Sequence, residues 1–437
     1  MSVTKSLSNR HRKHLIIASY DGISTHYCGV GTTLQDTLWS LQDLTNSEDI
    51  KISLAYIAVD PQSDAYNERS FKNSLSLVKK TGGSLIPLSN GTSGYSEKDM
   101  WSSFPEWEFA CASLATAMNM VLKKEDDNVL MLHDTPFLLF HKFKQQIFDR
   151  KLRCFYMPRS SGMNYKFGDK RWREHRIRIE KEAFQAIQSD HTSMVLAIGK
   201  NFGRHLADEY GLSFTSKEYL LNGFYSGRYS EFLNKQFDIS ALRQFGINLG
   251  KESKIIFCWG RASVAKGVKE LLEAWQLIFK ALPDHCLVVQ APNNSGEGDY
   301  FRLLKKYEKQ IPRTIVLDDY NPHIWQTFLR LKNTSVVCLP SIMDPNPHTA
   351  IEAKLFSINM NFAIVCSNVD GIKDTYSTSE CLWSNPYDKK GFSRAILKAA
   401  KLSDKKKLAM REANARSSSE YDYSKTIKNF LEWINFI

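Results

Sequence analysis

The stretch that decides the fold runs from Leu339 to Phe356 and reads LPSIMDPNPHTAIEAKLF. An apolar run, residues 335–339, leads into it and predicts a buried strand, and apolar residues at helical spacing follow. The strand would deliver Asp344 on a loop at its carboxyl edge. Glu352 would lie one turn into the next helix, whose first amides face the same space.

This arrangement predicts a ligand chemistry. The first N–H groups of a helix have no partner within the helix, and they bind phosphate well because the helix dipole favours negative charge there. Carboxylates accept hydrogen bonds from sugar hydroxyls. Acidic groups beside free amides therefore suit a nucleotide-sugar.

A second segment supports the same ligand. Residues 254–261, KIIFCWGR, predict a buried strand that ends in Gly-Arg, and a helix follows Gly267. The guanidinium of Arg261 suits bidentate contact with phosphate, and the ammonium of Lys266 adds a compact charge. Lys266 lies 78 residues before Asp344.

Together the two segments resemble the retaining GT-B glycosyltransferases of family four. Asp344 to Glu352 is similar to the family's E-x7-E signature with Asp in the first position, and residues 260–267 are similar to its G-R-x4-K-G element. The resemblance implies that Arg261 and Lys266 hold the donor diphosphate. It also implies that Asp344 contacts the donor sugar and that Glu352 contacts the nucleotide ribose.

Pro347 occupies the position of a family glycine. Proline has no N–H and suits the first helical position. We therefore expect the amides of His348, Thr349 and Ala350 to face the diphosphate. The alternative is an acidic helix start outside any site.

Two elements of the first half extend the resemblance. Residues 29–32, GVGT, resemble the family's G-G-V-G-x loop, so Gly29 and Gly31 are expected between donor and acceptor; an ordinary turn is the alternative. This is not a dinucleotide fingerprint, because the full G-x-G-x-x-G spacing and the later ribose acid are missing. His133 ends a predicted strand, where the family often has a histidine beside the reacting sugar; a structural histidine is the alternative.

Strands and helices alternate in both halves, which predicts parallel sheets covered on both faces. The resemblance implies the GT-B fold: two Rossmann-like α/β domains face each other across a cleft, and a C-terminal helix crosses back to the first domain. We predict an acceptor-side domain over residues 1–222, a nucleotide-sugar domain over 223–420 and the crossover helix over 421–437. Residues 219–223, YLLNG, resemble the family's turn at the domain junction.

Composition excludes several classes. No apolar run approaches the 18 residues of a membrane helix, and the first 12 residues lack the apolar core of a signal peptide. The eight cysteines show no C-x2-C spacing, so we expect reduced thiols and a cytoplasmic protein. Asp318-Asp319 could suggest a D-x-D metal site, but no third acid lies nearby. We expect neither a metal nor a cofactor.

Charge is concentrated in one region. Residues 141–181 carry 13 basic and 4 acidic groups, whereas residues 1–140 carry 12 and 16. A solvated helix face is the favoured interpretation. An anionic acceptor or weak contact with an acidic membrane is the alternative, and nucleic acid is not expected because no recognition motif accompanies the charge.

The sequence therefore predicts a metal-independent, retaining glycosyltransferase that moves a sugar from a UDP- or GDP-linked donor to a hydroxyl of an unidentified acceptor. Asp344, His133, Arg261 and Lys266 are its candidate catalytic residues. An epimerase or hydrolase that acts on the nucleotide-sugar alone, and a non-catalytic binding subunit, remain the alternatives.

Overall fold

The computed structural model describes residues 12–26, 28–45, 50–63, 66–91, 103–147, 151–164, 169–293, 298–319 and 321–437. Its first sheet has six parallel strands in the order β3-β2-β1-β4-β5-β6. These strands are β1 (Lys13–Ser19), β2 (Ile50–Ile57), β3 (Leu85–Leu88), β4 (Asp127–His133), β5 (Arg153–Met157) and β6 (Ser193–Val195).

The second sheet is also parallel and six-stranded, in the order β12-β11-β10-β7-β8-β9. Its strands are β7 (Lys254–Trp259), β8 (His285–Gln290), β9 (Thr314–Leu317), β10 (Thr334–Leu339), β11 (Ala363–Ser367) and β12 (Leu382–Ser384). Strands β7 and β10 are buried along nearly their whole length, as expected of a sheet covered on both faces.

Helices cover both sheets. Those that follow strands of the first sheet are α1 (Gly29–Leu44), α2 (Glu68–Thr81), α3 (Phe104–Val121), α4 (Lys170–Ser189) and α5 (Lys200–Tyr210). The rest are α6 (Ser226–Leu233), α7 (Val268–Ile278), α8 (Gly298–Gln310), α9 (Pro322–Leu329), α10 (His348–Ser357), α11 (Asp370–Lys373), α12 (Lys389–Ala400), α13 (Asp404–Ser418) and α14 (Tyr423–Trp433). None of the helices in the described ranges combines the length and the apolar composition that crossing a bilayer requires.

The last helix returns to the first domain. Its apolar residues belong to the core of the first sheet: Tyr423, Ile427, Phe430 and Leu431. The chain passes between the domains twice at one place, where the amide of Phe224 donates to Tyr421 and the amide of Tyr423 donates to Phe224. The predicted fold, two α/β domains with a returning C-terminal helix, is confirmed. The exact domain bounds at 222/223 and 420/421 stay a prediction.

The edge strands β6 and β12 are short. Strand β6 ends at Val195, and Ala197 beyond it pairs with Tyr219 in the segment before the domain junction. Strand β12 has three half-buried residues, too few to show an alternation of buried and exposed positions.

Candidate active site

A cleft of about 450 Å³ lies between the two domains, at the carboxyl ends of the second sheet's strands. Residues from both domains line it. From the second domain these include Trp259, Arg261, Lys266, Gln290, Trp325, His348, Thr349 and Glu352; from the first they include His26, Cys28, Gly29, Arg69 and Asn73. Five of the predicted site residues of the second domain thus meet in one cavity: Arg261, Lys266, His348, Thr349 and Glu352.

The turn after β7 places Arg261 and Lys266. A short 3-10 turn, Val264–Lys266, follows the strand, and Gly267 ends it with a φ of 65°. A side chain at Gly267 would also lie 2.0 Å from the carbonyl oxygen of Pro340, so the turn packs directly on the end of β10. This close approach brings Lys266 to the loop that carries Asp344.

Lys266 and Asp344 form an ion pair, with the ammonium 2.5 Å from Oδ2. Asp344 is 10% exposed and does not line the main cleft; it borders a smaller crevice of about 240 Å³ with Asn201, His205 and Asp370. Asp344 therefore meets the main cleft through its ion pair with Lys266, and its predicted contact with the donor sugar stays a prediction.

The start of α10 differs by one position from the prediction. Pro347 is the N-cap with extended backbone, and His348 is the first helical residue. The amide of Ala350 donates to the carbonyl of Pro347, 3.1 Å away, and Ala350 is fully buried. His348 and Thr349 line the cleft. Of the three amides predicted to face a diphosphate, only those of His348 and Thr349 therefore remain candidates.

Glu352 lies within the cleft wall, 6% exposed. Its Oε1 accepts from the Tyr229 hydroxyl at 3.2 Å, and its Oε2 accepts from the Trp259 indole at 3.1 Å. Burial raises the pKa of Glu352, and the positive charge of Arg228 acts against that rise. Each oxygen keeps a second lone pair for a ligand hydroxyl.

The first helix meets α10 across the cleft. Thr33 Oγ1 lies 2.5 Å from His348 Nε2. Desolvation and nearby positive charges lower the pKa of His348 to about 3, so the imidazole is neutral at physiological pH. The sequence did not indicate this contact, because the two residues are 315 positions apart.

The glycines of residues 29–32 begin helix α1, whereas a loop was expected. Asp21, also missed from the sequence, organises this turn: its carboxylate accepts from the amides of Gly22, Cys28 and Gly31. A side chain at Gly31 would lie 2.7 Å from Asp21 Oδ2, so Gly31 serves packing and does not line the cleft. Gly29 does line the cleft.

His133 does not line the cleft and is fully buried. Its Nδ1 contacts the Arg159 guanidinium at 3.2 Å, and Arg159 donates to Asn222 Oδ1 at 2.5 Å. Asn222 in turn donates to the carbonyl of Asn346 at 3.1 Å. Burial and the Arg159 charge lower the pKa of His133 well below its usual value. His133 therefore belongs to a buried polar seam between the domains, and the expected place beside an open sugar site is not observed.

The basic residues of the region 141–181 fall into exposed and buried groups. Arg171 and Arg178 of α4 are exposed, whereas Arg176 is 4% exposed and lies 2.7 Å from Glu180. Arg176 was counted among the solvated charges, but the fold uses it as half of a buried ion pair. Lys166 lies outside the described residues.

Asp318 and Asp319, the pair that could suggest a D-x-D metal site, have structural roles. Asp318 accepts from the amide of Asn293 and so joins the segment after β8 to the end of β9, and Asp319 accepts from the amide of Asn321 in the turn after β9. Within the ranges that the structure describes, no group of three or more His, Cys, Asp or Glu side chains is placed to hold a metal. Independence of metal stays a prediction.

Comparison with known proteins adds a family and a fold. Residues 242–418 match the family model of glycosyl transferases group 1. No curated protein matches the chain in sequence. The trehalose-6-phosphate phosphatase N-terminal domain of Candida albicans superposes with a TM-score of 0.71 at 14% identity, covering 98% of this chain and 97% of that one.

Two further solved structures are similar. An α,α-trehalose-phosphate synthase (UDP-forming) from Burkholderia xenovorans, in complex with glucose-6-phosphate, has a TM-score of 0.70 at 13% identity, covering 97% of this chain and 100% of that one. A trehalose-6-phosphate protein from E. coli, bound with UDP-2-fluoro glucose, has a TM-score of 0.68 at 13% identity, with coverages of 97% and 99%. At these identities the likeness shows the fold, and it confirms the GT-B architecture.

Proposed function

We propose that this protein is a retaining glycosyltransferase that uses a nucleoside-diphosphate sugar, because residues 242–418 match the family model of glycosyl transferases group 1. One observation supports this most: Arg261, Lys266, the start of α10 and Glu352 line a single cleft between two α/β domains. Two cations, two helix-terminal amides and a carboxylate match a diphosphate joined to a ribose.

In this proposal the diphosphate lies against Arg261, Lys266 and the amides of His348 and Thr349. Negative charge grows on the leaving phosphate as the glycosidic bond breaks, and donors already aimed at that charge lower the barrier. The acceptor hydroxyl attacks from the same face, and the departing phosphate takes its proton, so the sugar keeps its anomeric configuration. The protein then needs no separate base, which agrees with the burial of His133.

Uridine is the proposed donor nucleotide. The E. coli protein with this fold is bound with UDP-2-fluoro glucose, and the Burkholderia xenovorans protein is described as UDP-forming. The proposed acceptor is a hydroxyl-bearing molecule that enters from the first-domain wall, where Arg69 and Asn73 line the cleft. Arg69 makes an anionic acceptor the favoured class.

A second candidate is a non-catalytic binding subunit. The ion pair between Lys266 and Asp344 favours it, since the pair engages both the diphosphate cation and the acid expected on the donor sugar. A transferase requires that the ammonium be shared with the diphosphate when the donor binds. A binding subunit could keep the pair intact.

Incubation with UDP-, GDP-, ADP- and CDP-linked sugars would test the proposal, with released nucleotide measured with and without a panel of sugar and sugar-phosphate acceptors. A transferase releases nucleotide only when the acceptor is present. Release without an acceptor would indicate a hydrolase. Donor binding by calorimetry without any release would indicate the binding subunit, and absence of donor binding would refute all three.

A further inference from the structure

Arg228 occupies a position between the two domains inside the cleft. It lies on α6, the first helix after the domain junction, and its side chain lines the cavity. Its Nη1 lies 3.2 Å from Oδ1 of Asp36, a residue of α1 in the first domain. The sequence indicated neither residue as part of a site.

The Asp36 carboxylate is fully buried. Arg228 is its ion-pair partner, and its Oδ2 is a buried atom to which no described residue makes a hydrogen bond of standard geometry. Burial raises the pKa of Asp36 to about 7 even with Arg228 beside it. A buried carboxylate is costly unless a cation accompanies it, so the pair ties the first domain to the cleft wall of the second.

The same guanidinium is linked to Glu352 through Tyr229. Arg228 Cζ lies 5.5 Å from the centre of the Tyr229 ring, and the Tyr229 hydroxyl donates to Glu352 Oε1. The other oxygen of Glu352 accepts from the neutral Trp259 indole. The charges that oppose desolvation of Glu352 are those of Arg228, which is the larger influence, and Lys266.

We propose that Arg228 is a positioning residue of the nucleotide site. Its charge keeps the Glu352 carboxylate ionised, so that the carboxylate can accept hydrogen bonds from the ribose hydroxyls. Through its ion pair with Asp36, Arg228 also couples the state of Glu352 to the contact between α6 and the first domain. The inference rests on the proposed function, since it assigns the ribose to Glu352. Lys266 is paired with Asp344 at 2.5 Å, and of the two cations Arg228 has the larger influence on Glu352.

The other titratable groups around Glu352 determine which reference protein the experiment needs. His26 and His348 have pKa values lowered to about 4 and about 3 by burial, so both are neutral between pH 5.5 and 8. Tyr229 has its pKa raised well above its usual value and also stays neutral. Asp36, with a pKa near 7, titrates inside that range. The reference protein should therefore carry Asp36→Asn.

The experiment compares Asp36→Asn with the double variant Asp36→Asn/Arg228→Met, which removes both charges and leaves no unpaired buried carboxylate. Calorimetry would measure the affinity for UDP and for 2′,3′-dideoxy-UDP at pH 5.5 and pH 8. The ligand's own phosphate titrates near pH 6 in both proteins, so the decisive quantity is the preference for UDP over the dideoxy ligand.

Without Arg228 the pKa of Glu352 rises further, so the carboxylate is lost as pH falls through that value. The reference should lose less of its preference for UDP between pH 8 and pH 5.5 than the double variant does. The double variant should show a clearly smaller preference at pH 5.5 than at pH 8, because a carboxylate whose pKa is raised further is ionised less at the lower pH. Asp36→Asn/Arg228→Lys should behave as the reference, because the charge remains.

A preference that is equal at both pH values in the double variant would overturn the role of Arg228. If the double variant does not fold, Asp36→Asn/Arg228→Lys is measured in its place. A loss of its preference for UDP at pH 5.5 would also overturn the role of Arg228, because the positive charge is still present. A reference that binds UDP but never prefers it over the dideoxy ligand would also overturn it. In each of these cases UDP still binds, which separates failure of this inference from failure of the proposed function.

Discussion

The two walls of the cleft are built in different ways. In the second domain, Arg261 and Lys266 line the cavity from the turn directly after β7, and Glu352 lines it from the first turns of α10. In the first domain, Gly31 packs against Asp21 and His133 lies buried against Arg159, and neither lines the cavity. More of the residues predicted from short motifs therefore line the cleft in the second domain than in the first.

The difference shows when a motif can be interpreted from sequence alone. A strand end followed directly by a turn and a helix determines where its side chains point, since the parallel sheet places all carboxyl ends at one edge. His133 also ends a strand, but its environment is made by Arg159 and Asn222, 26 and 89 residues away along the chain. Polar seams of this kind depend on residues that no local pattern connects.

The largest expected effect tests the second-domain wall. Arg261→Ala and Lys266→Ala should each lower turnover by about 10²–10³, because loss of one donor to a developing anion costs about 2.7–4 kcal/mol of barrier. Lys254→Ala is the matched control: it lies at the opposite end of β7, paired with Asp284 on the surface. Steady-state rates at saturating donor would decide, and near-normal turnover in both variants would refute the diphosphate assignment.

The next test divides Glu352 from Asp344. Glu352→Gln should weaken binding of the bare nucleoside diphosphate by about 1.5–3 kcal/mol, because a neutral amide replaces a charged acceptor. Asp344→Asn should lower turnover more than nucleotide affinity, because Asp344 lies outside the main cleft but pairs with Lys266, the proposed cation for the leaving phosphate. Calorimetry measures both variants. Equal loss of nucleotide affinity would show that the two carboxylates share one role.

His133 tests the first-domain wall. His133→Ala should destabilise the protein by about 1–3 kcal/mol, because it removes a partner from the buried Arg159. Affinity for the donor nucleotide should stay unchanged. Urea unfolding and calorimetry on the same sample would measure the two effects. A variant with normal stability and a strongly reduced turnover would instead place His133 at the reacting sugar.

The smallest effect concerns helix α4. Gln substitutions of Arg171, Arg173 and Arg178 should leave stability and the Michaelis constants of donor and acceptor unchanged, since charges on a solvated face contribute little. Arg176→Gln should destabilise the protein, because it leaves Glu180 buried without its cation. A rise in the acceptor constant of the triple variant that shrinks with added salt would assign this face to an anionic acceptor or an acidic membrane.

The amino-acid sequence by itself determined the architecture. Buried apolar runs alternate with helical patterns, and the strands predicted within 254–261 and over 335–339 form as β7 and β10. The element around Arg261 and the start of α10 were also predictable to within a residue. Both depend on neighbours in the chain: backbone direction at a strand end, and amides left free at a helix start.

Only the tertiary structure decided which groups carry charge and which are buried. Asp21 accepts from the amide of Gly31, Lys266 pairs with Asp344, and Arg228 of the second domain pairs with Asp36 of the first. Each of these contacts joins residues that are distant in sequence or separated by a change of chain direction. Their energies depend on desolvation and on partners brought together only when the two sheets pack, so no spacing in the sequence could have predicted them.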